Sequence, residues 1–298
     1  MEATIDPAAV GQFSAAIGQW DQGTTCLAAL ALATDPNGVG PLRDAARDVV
    51  TAAGLGDVLT SPQQLPFSPL QLQGMVASPL LQAASLVSAD NSTWADRSDA
   101  VLIAQGQASG STALLFATFV LPELPQLAEG LGQPGARMLD VGTGIGALAV
   151  GFAEMFPQLH VTGIDVMARA LDLARSHVAA SPAAARVELV HQDVAALDEE
   201  ARYDLAWLPA PFVPQPALET GLARVVAALR PGGLLMIGHG RYDGTALQNA
   251  VTRFKVAAYG GTAIDGPTAA KLLTASGLND VRAVPTPPGA PAITIGTR

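Results

Sequence analysis

The chain has 298 residues, of which 49% are hydrophobic and only 14% charged, and its formal net charge is −10. This length and apolar content allow a sizeable core in one large or two smaller domains and argue against global disorder. The acidic balance without Lys/Arg clusters argues against nucleic acid as a substrate. The single cysteine, Cys26, excludes an intrachain disulfide and a zinc site built from thiolates.

The N-terminus lacks a basic region followed by an apolar run, so the sequence does not predict a secretion signal. No apolar stretch approaches the roughly 20 residues of a membrane helix. We therefore expect a cytoplasmic protein without a membrane partner.

The spacing of apolar residues over 1–110 predicts helices and no long strand with alternating apolar residues. We therefore expect these residues to form an all-helical N-terminal domain. Residues 7–33 predict one helix or two, in which Val10, Phe13, Ile17 and Trp20 recur near helical spacing. Further helices are predicted over 41–53 and over 70–87, the latter broken near Pro79. Large apolar residues here, namely Trp20, Phe67, Met75 and Trp94, indicate ordinary core, a dimer contact, or a lid over an apolar ligand.

A glycine-rich stretch, residues 137–150, follows a helix predicted over 111–121. It begins with β-prone apolar residues, turns at Gly142, Gly144 and Gly146, and continues with helix formers, which predicts a strand, a tight turn and a helix. Glycine allows a sharp turn and a close approach to a ligand. The N–H groups and positive dipole end of the helix face this turn, so polar or anionic ligand groups can bind there.

The spacing Gly142-x-Gly144-x-x-Ala147 also fits the dinucleotide-binding fingerprint. However, Asp140 stands two residues before the first glycine, where a carboxylate would repel a pyrophosphate and attract a cation. Asp165 follows the second predicted strand (159–164) at about the separation expected of an acid that binds ribose hydroxyls. Asp193 follows the third predicted strand (186–190). A βα turn without a ligand, and an N-cap role for Asp165, remain the alternatives.

These residues resemble the class I S-adenosylmethionine-dependent methyltransferases, and the resemblance covers about residues 111–298. It implies an α/β fold with a Rossmann-like seven-stranded sheet, mostly parallel with the last strand antiparallel, after the helical domain of residues 1–110. The later elements agree with this fold. A fourth strand is predicted over 203–208, a helix over 218–229, a Pro-Gly-Gly run at 231–233 before strand five (234–238), and a final strand pair over 279–284 and 292–296.

The resemblance implies that S-adenosylmethionine is the cofactor and S-adenosylhomocysteine its product. In this family the acid and glycines after strand one hold the methionine part, the second acid the ribose, and the third acid the adenine amino group. The cofactor-binding residues implied are Asp140, Gly142, Thr143, Gly144, Gly146, Asp165, Val166, Asp193, Val194 and Leu208. The acceptor pocket is expected to include Trp20, Pro209 and Phe212, and the N-terminal helices are expected to form a homodimer contact.

The resemblance further implies methyl transfer to oxygen or carbon of a small, largely apolar metabolite in bacterial secondary metabolism. The loop after strand four lacks the general-base His of many O-methyltransferases and the acid of metal-dependent relatives, so no metal site is predicted. His239, after strand five, is then the candidate base, and Tyr242 is a lesser candidate. If His239 is the base, its loss lowers turnover by a factor of roughly 10² or more. Otherwise it is a structural His that hydrogen-bonds the Gly-rich turn.

Two other function classes stay open at this point. One is a methyltransferase-like fold that binds the donor or its product but catalyses a non-methylation reaction such as a cyclisation. The other is an NAD-dependent oxidoreductase, which Asp140 and Asp193 disfavour.

Overall fold

A computed structural model of the chain describes residues 7–35, 39–56, 67–87, 93–287 and 290–298. The described residues of the N-terminal part include four α-helices: α1 (Pro7–Thr34), α2 (Pro41–Ala52), α3 (Pro69–Val87) and α4 (Asp99–Ser109). Helix α1 is continuous, and its C-terminal part packs Ala29 and Ala33 against α2. The predicted break in α3 is wrong, because the helix runs through Pro79 while packed along α4.

Helix α4 continues into a helical run that reaches Glu123 through the short helix α5 (Thr112–Leu115), a π-helical turn (Phe116–Val120) and a 3-10 turn (Leu121–Glu123). The helix predicted over 111–121 therefore forms, within a longer run. By length and mean hydropathy, 1.2, residues Asp99–Glu123 would suffice to cross a membrane, but half of the most apolar window is buried in the protein. Buried core helices pass the same test, and Phe116 packs its ring against Phe152 at 5.1 Å.

The remainder forms a seven-stranded sheet with the order β3-β2-β1-β4-β5-β7-β6. The elements are α6 (Pro125–Leu131), β1 (Arg137–Val141), α7 (Ala147–Met155), β2 (His160–Asp165), α8 (Ala168–Ala179), β3 (Val187–His191), β4 (Tyr203–Pro209), α9 (Gln215–Ala228), β5 (Leu229–His239), α10 (Ala246–Tyr259), α11 (Gly266–Ala275), β6 (Asn279–Val284) and β7 (Ala292–Thr297). Strands β1 to β5 pair in parallel, whereas β7 is antiparallel to both β5 and β6. The predicted fold class is confirmed.

Both faces of the sheet are covered, as expected of parallel strands joined by helical crossovers. Alternation along β1 sends Met138 into the core cluster that includes Phe116 and Phe152, and Leu139 into the cluster on the other face with Leu222. Strand β5 begins earlier than predicted and includes the Pro-Gly-Gly run, where Gly232 has a φ of 80°. Because β1 to β5 are parallel, their carboxyl ends lie together along one edge of the sheet. Ligands of open α/β folds bind at this edge.

Candidate functional site

The turn between β1 and α7 adopts a conformation that favours glycine at three positions. Gly142, Gly144 and Gly146 have φ values of 64°, 57° and 74°, in the left-handed region. The Thr143 amide donates to the Ile164 carbonyl of β2 at 3.0 Å. A Cβ on Gly163 would lie 2.6 Å from Thr143 Oγ1, so the turn packs closely against the neighbouring strand. The glycines are required by this backbone, as the sequence indicated.

Asp140 lies at the end of β1 with 1% of its surface exposed. Its Oδ2 accepts a hydrogen bond of 2.6 Å from the Thr143 hydroxyl. Burial raises the pKa of Asp140 to about 7, an effect that the Thr143 hydrogen bond opposes and the nearby Asp165 reinforces. Its ionised form is therefore costly without a nearby positive charge, so the residue suits a cationic ligand group.

Asp165 connects the ends of β1 and β2. Its Oδ2 accepts from the Gly144 amide at 2.9 Å, and its Oδ1 accepts from the Met167 amide at 2.8 Å, just before α8 begins. Burial raises the pKa of Asp165, while these two backbone hydrogen bonds lower it. Asp193, after β3, is exposed and accepts from the Ala195 amide at 2.9 Å. The second and third predicted acids thus stand at the same sheet edge as the first.

A cavity of about 1440 Å³ opens along this edge. The predicted site residues on its wall are Asp140, Gly142, Thr143, Gly144, Asp165, Val166, Asp193, Val194, Pro209, Phe212 and His239. The structure therefore brings most of the residues predicted to bind the cofactor into one cavity with the loop after β4.

Three of the expected pocket residues lie elsewhere. Gly146 faces Val178 of α8, where an added Cβ would come within 3.1 Å of the Val178 side chain. Leu208 is fully buried in the core, because alternation along β4 turns Trp207 and Pro209 to the cavity instead. Trp20 is 56% exposed on α1, outside the cavity of its own chain.

The geometry favours the structural alternative for His239 over the general-base interpretation. Its ring is buried on the cavity wall, Nδ1 lies 2.9 Å from the Gly240 carbonyl and Nε2 lies 2.9 Å from Thr294 Oγ1. A carbonyl only accepts, so Nδ1 carries the proton and Nε2 accepts from the Thr294 hydroxyl. Burial also lowers the pKa of His239. With both nitrogens engaged, the ring joins β5 to β7 and cannot readily take a proton.

Tyr242 is also unsuited to the role. Tyr242 does not line the cavity. Its ring covers Gly240, where an added Cβ would lie 2.8 Å from the Tyr242 hydroxyl oxygen. That hydroxyl is buried without a hydrogen-bond partner among the described residues, and burial raises the pKa of Tyr242. A phenol in this setting is a poor base.

Aromatic rings form one wall of the cavity on the side of the N-terminal helices. Phe212 and Tyr259 stack with centroids 4.3 Å apart, and Trp94 meets both rings edge-on at 5.4 Å and 5.3 Å. Phe67 and Met75 line the same cavity. Phe67, Met75 and Trp94 of the N-terminal part therefore line the same cavity as the glycine turn, and their role as a lid stays a prediction.

The sequence analysis missed four polar residues on the cavity wall: Ser78 and Gln82 of α3, and Gln105 and Ser109 of α4. They share hydrogen bonds of 2.6 to 3.1 Å. The sequence feature that could have identified them is a pair of polar residues four positions apart, which occurs on each of these two largely apolar helices. Among the described residues, no group of three or more His, Cys, Asp or Glu side chains is placed to hold a metal ion.

The donor set fits a nucleoside with a positively charged tail. The buried Asp140 suits a cation, the carboxylate of Asp165 can accept from ribose hydroxyls, and the Val166 side chain, 59% exposed on the cavity wall, offers an apolar surface to a base. A dinucleotide fits less well, because Asp140 lies beside the turn where a pyrophosphate would bind.

Comparisons with known proteins agree with this assignment. Residues 138–233 match a family described as "Methyltransferase domain". A release factor glutamine methyltransferase from Rhodopirellula baltica is 32% identical over 116 residues, 39% of this chain and 38% of that protein. The chain spans between 28% and 49% of the length of eight curated relatives that it matches. These relatives are named methyltransferases, which supports neither the non-methylation alternative nor the oxidoreductase.

Solved structures resemble the whole chain. A putative O-methyltransferase from Nostoc punctiforme superposes with a TM-score of 0.62 at 15% identity, covering 99% of this chain and 100% of that one. Human N-acetylserotonin methyltransferase in complex with S-adenosylmethionine gives a TM-score of 0.57 at 15% identity, covering 100% and 99%. The chain therefore has the fold of these methyltransferase structures, and residues 138–233 within it match the methyltransferase family model.

Proposed function

We propose that this protein transfers the methyl group of S-adenosylmethionine to oxygen or carbon of a small, largely apolar acceptor. The observation that carries the proposal is a single cavity that joins the glycine turn and its three acids to an aromatic wall supplied partly by the N-terminal helices. When bound, S-adenosylmethionine supplies a methyl group already activated on a sulfonium.

In this proposal each of three acids binds a different part of the cofactor. Asp140 faces the cationic methionine part, Asp165 the ribose hydroxyls, and Asp193 the adenine amino group. Gly142 and Gly144 keep the backbone bare of side chains, and a Cβ on Gly144 would project into open space. Val166 and Val194 offer apolar contacts for the base from the cavity wall.

The loop after β4 orients the acceptor and excludes water. Pro209, Pro211, Phe212 and Val213 line the cavity there and offer no titratable group. Since His239 is engaged on both nitrogens, the chain's contribution is alignment of the acceptor. The acceptor then supplies its own nucleophile, such as an enolised carbon or a hydroxyl of low pKa.

The wider setting forms part of the same proposal. A net charge of −10 supports a small-molecule acceptor over nucleic acid. We also propose a homodimer formed through the N-terminal helices, acting in the cytoplasm on an acceptor of bacterial secondary metabolism.

Calorimetry of S-adenosylhomocysteine binding tests the proposal. Asp165→Asn keeps one carbonyl oxygen at the site but removes the charge, so we expect affinity to fall by about 1.5–3 kcal/mol, the range for hydrogen bonds to a charged group. Asp172→Asn is the matched control, because Asp172 lies on α8 with 71% of its side chain exposed. Equal affinity in wild type and Asp165→Asn would remove Asp165 from the site, and absence of binding to wild type would refute the proposed function.

A further inference from the structure

Ser78, Gln82, Gln105 and Ser109 on the cavity wall have hydrogen-bonding capacity that the described residues do not use. We propose that Gln105 and Ser109 bind an oxygen atom of the acceptor, a carbonyl or an ionised hydroxyl, carried on a flat apolar skeleton. This inference rests on the proposed function, since it names the acceptor class of the same site.

The hydrogen-bond inventory shows what remains available. Gln82 Nε2 donates to Ser78 Oγ and to Gln105 Oε1, both at 2.6 Å, and the Ser78 hydroxyl donates to Gln105 Oε1 at 2.9 Å. Gln105 Nε2 donates to Ser109 Oγ at 3.1 Å. An amide nitrogen has two protons and a hydroxyl has one. One Gln105 N–H and the Ser109 O–H therefore have no acceptor among the described residues.

The two available protons belong to groups already in contact with each other. Ser109 follows Gln105 by one helical turn, and their side chains are hydrogen-bonded. Both residues lie on the cavity wall, so a single ligand oxygen is within reach of both donors. Ser78 and Gln82 fix the Gln105 amide by occupying its oxygen, so the N–H that remains is pre-positioned.

Helix α4, which carries this donor pair, packs against the turn between β1 and α7 (residues 142–146, the cofactor turn). Gly106, next to Gln105 in the chain, has no room for a Cβ because the Ile145 side chain occupies that space. Ile145 belongs to the turn that holds Gly142 and Gly144. Gln105 and Ser109 thus belong to the helix that packs directly against the turn proposed to hold the methyl donor.

The rest of the wall defines the acceptor skeleton. The stacked pair Phe212 and Tyr259, with Trp94 edge-on, presents aromatic surface in the same cavity. Flat apolar ligands pack well on such rings. Two neutral donors stabilise an oxyanion or a carbonyl oxygen, and an acceptor of this type carries the low-pKa hydroxyl or enol that the proposed function requires.

The test compares two probes of the same shape. The ketone 2-acetylnaphthalene has a carbonyl oxygen at the position where the alkene 2-isopropenylnaphthalene has a methylene group. Equilibrium dialysis with S-adenosylhomocysteine present measures both dissociation constants. We expect wild type to bind the ketone about tenfold more tightly, the scale of one to two hydrogen bonds. In Gln105→Leu and in Ser109→Ala the ratio falls to threefold or less, about a single weak contact, while alkene binding is retained.

Ser109→Ala leaves the other three side chains of the network intact, so it keeps the test valid if Gln105→Leu fails to fold. Gln73→Leu is the control, because Gln73 is an exposed residue of α3 outside the cavity, and it should keep the tenfold ratio. Equal binding of the two probes to wild type, failure of both to bind, or an unchanged ratio in Ser109→Ala would overturn the inference. Calorimetric binding of S-adenosylhomocysteine to the same samples reports on the proposed function separately.

Discussion

At the scale of single residues, Asp140, Asp165 and Asp193 lie at or just after the ends of β1, β2 and β3, on the wall of the cavity. Their positions were predictable because chain order fixes where these strands end. Leu208 was assigned wrongly because the side-chain alternation along β4 depends on its register against β1 and β5. The partners of His239 were not predictable either, since Thr294 is 55 residues away and reaches the ring only through β5–β7 pairing.

Asp140 makes the stability of the ligand-free protein depend on pH. Its pKa is raised to about 7 from an ordinary 3.8, so between these values the folded protein binds more protons than the unfolded chain. The free energy of unfolding that Asp140 contributes therefore declines as pH rises through this window. Between about pH 4 and 7 we therefore expect the melting temperature of wild type to fall relative to that of Asp140→Asn. A constant difference between the two proteins would show that Asp140 does not titrate there.

The same linkage predicts that cofactor binding responds to pH in the opposite direction. A cationic ligand group favours the ionised form of Asp140, so affinity for S-adenosylmethionine should increase as pH rises through about 7. Asp140→Asn should bind more weakly and without this rise. Calorimetry in buffers of different ionisation enthalpy checks the point directly, because only wild type should release a proton on binding.

His239 should matter more for stability than for chemistry. Replacing it with Ala leaves the buried Thr294 hydroxyl without its partner, which costs about 1–3 kcal/mol of unfolding free energy. Turnover should stay within about tenfold of wild type, because a working general base contributes 10² or more. Denaturant unfolding measures the change in unfolding free energy. Consumption of S-adenosylmethionine, with an acceptor that the wild-type protein methylates, measures turnover. A drop of 10² in turnover at unchanged stability would restore the catalytic role.

At the scale of elements, strands and helices of the sheet were largely predictable, because apolar runs, turn residues and glycines agree with one another along residues 137–298. The continuity of α3 through Pro79 was not, because packing along α4 sets it. Close helix packing here depends on glycines that look unremarkable in sequence. Gly74 lies against α4, and Gly106 lies against Ile145 of the cofactor turn.

Gly106→Ala should therefore separate α4 from the cofactor turn. Its new Cβ would overlap the Ile145 side chain, and overpacking of this kind costs about 1–3 kcal/mol. We expect a lower melting temperature together with weaker S-adenosylhomocysteine binding. Gly130→Ala in α6 is the matched control, because an added Cβ there has nothing within 4 Å, so it should be neutral or slightly stabilising. Equal behaviour of the two variants would contradict the proposed packing role.

At the scale of the whole molecule, the N-terminal helices leave an apolar surface uncovered. Helix α1 has 28 residues, of which Asp21 alone is charged. Val10, Phe13, Ile17 and Trp20 are 52%, 68%, 47% and 56% exposed in the single chain. Exposed apolar stripes of this kind mark contact surfaces in proteins. Trp20, which belongs to this exposed stripe, lies outside the cavity at the sheet edge.

We therefore predict that the protein is a homodimer in which α1 lies at the contact. Light scattering at micromolar concentration should give about twice the 30.3 kDa chain mass. The double variant Phe13→Glu/Ile17→Glu places two charges within the apolar stripe and should shift the protein to monomer. The control Gln12→Glu/Gln19→Glu adds the same charge to other exposed positions of α1 and should remain dimeric. A wild-type protein of 30.3 kDa alone, or a dimer that survives the Phe13 and Ile17 changes, would exclude this surface as the contact.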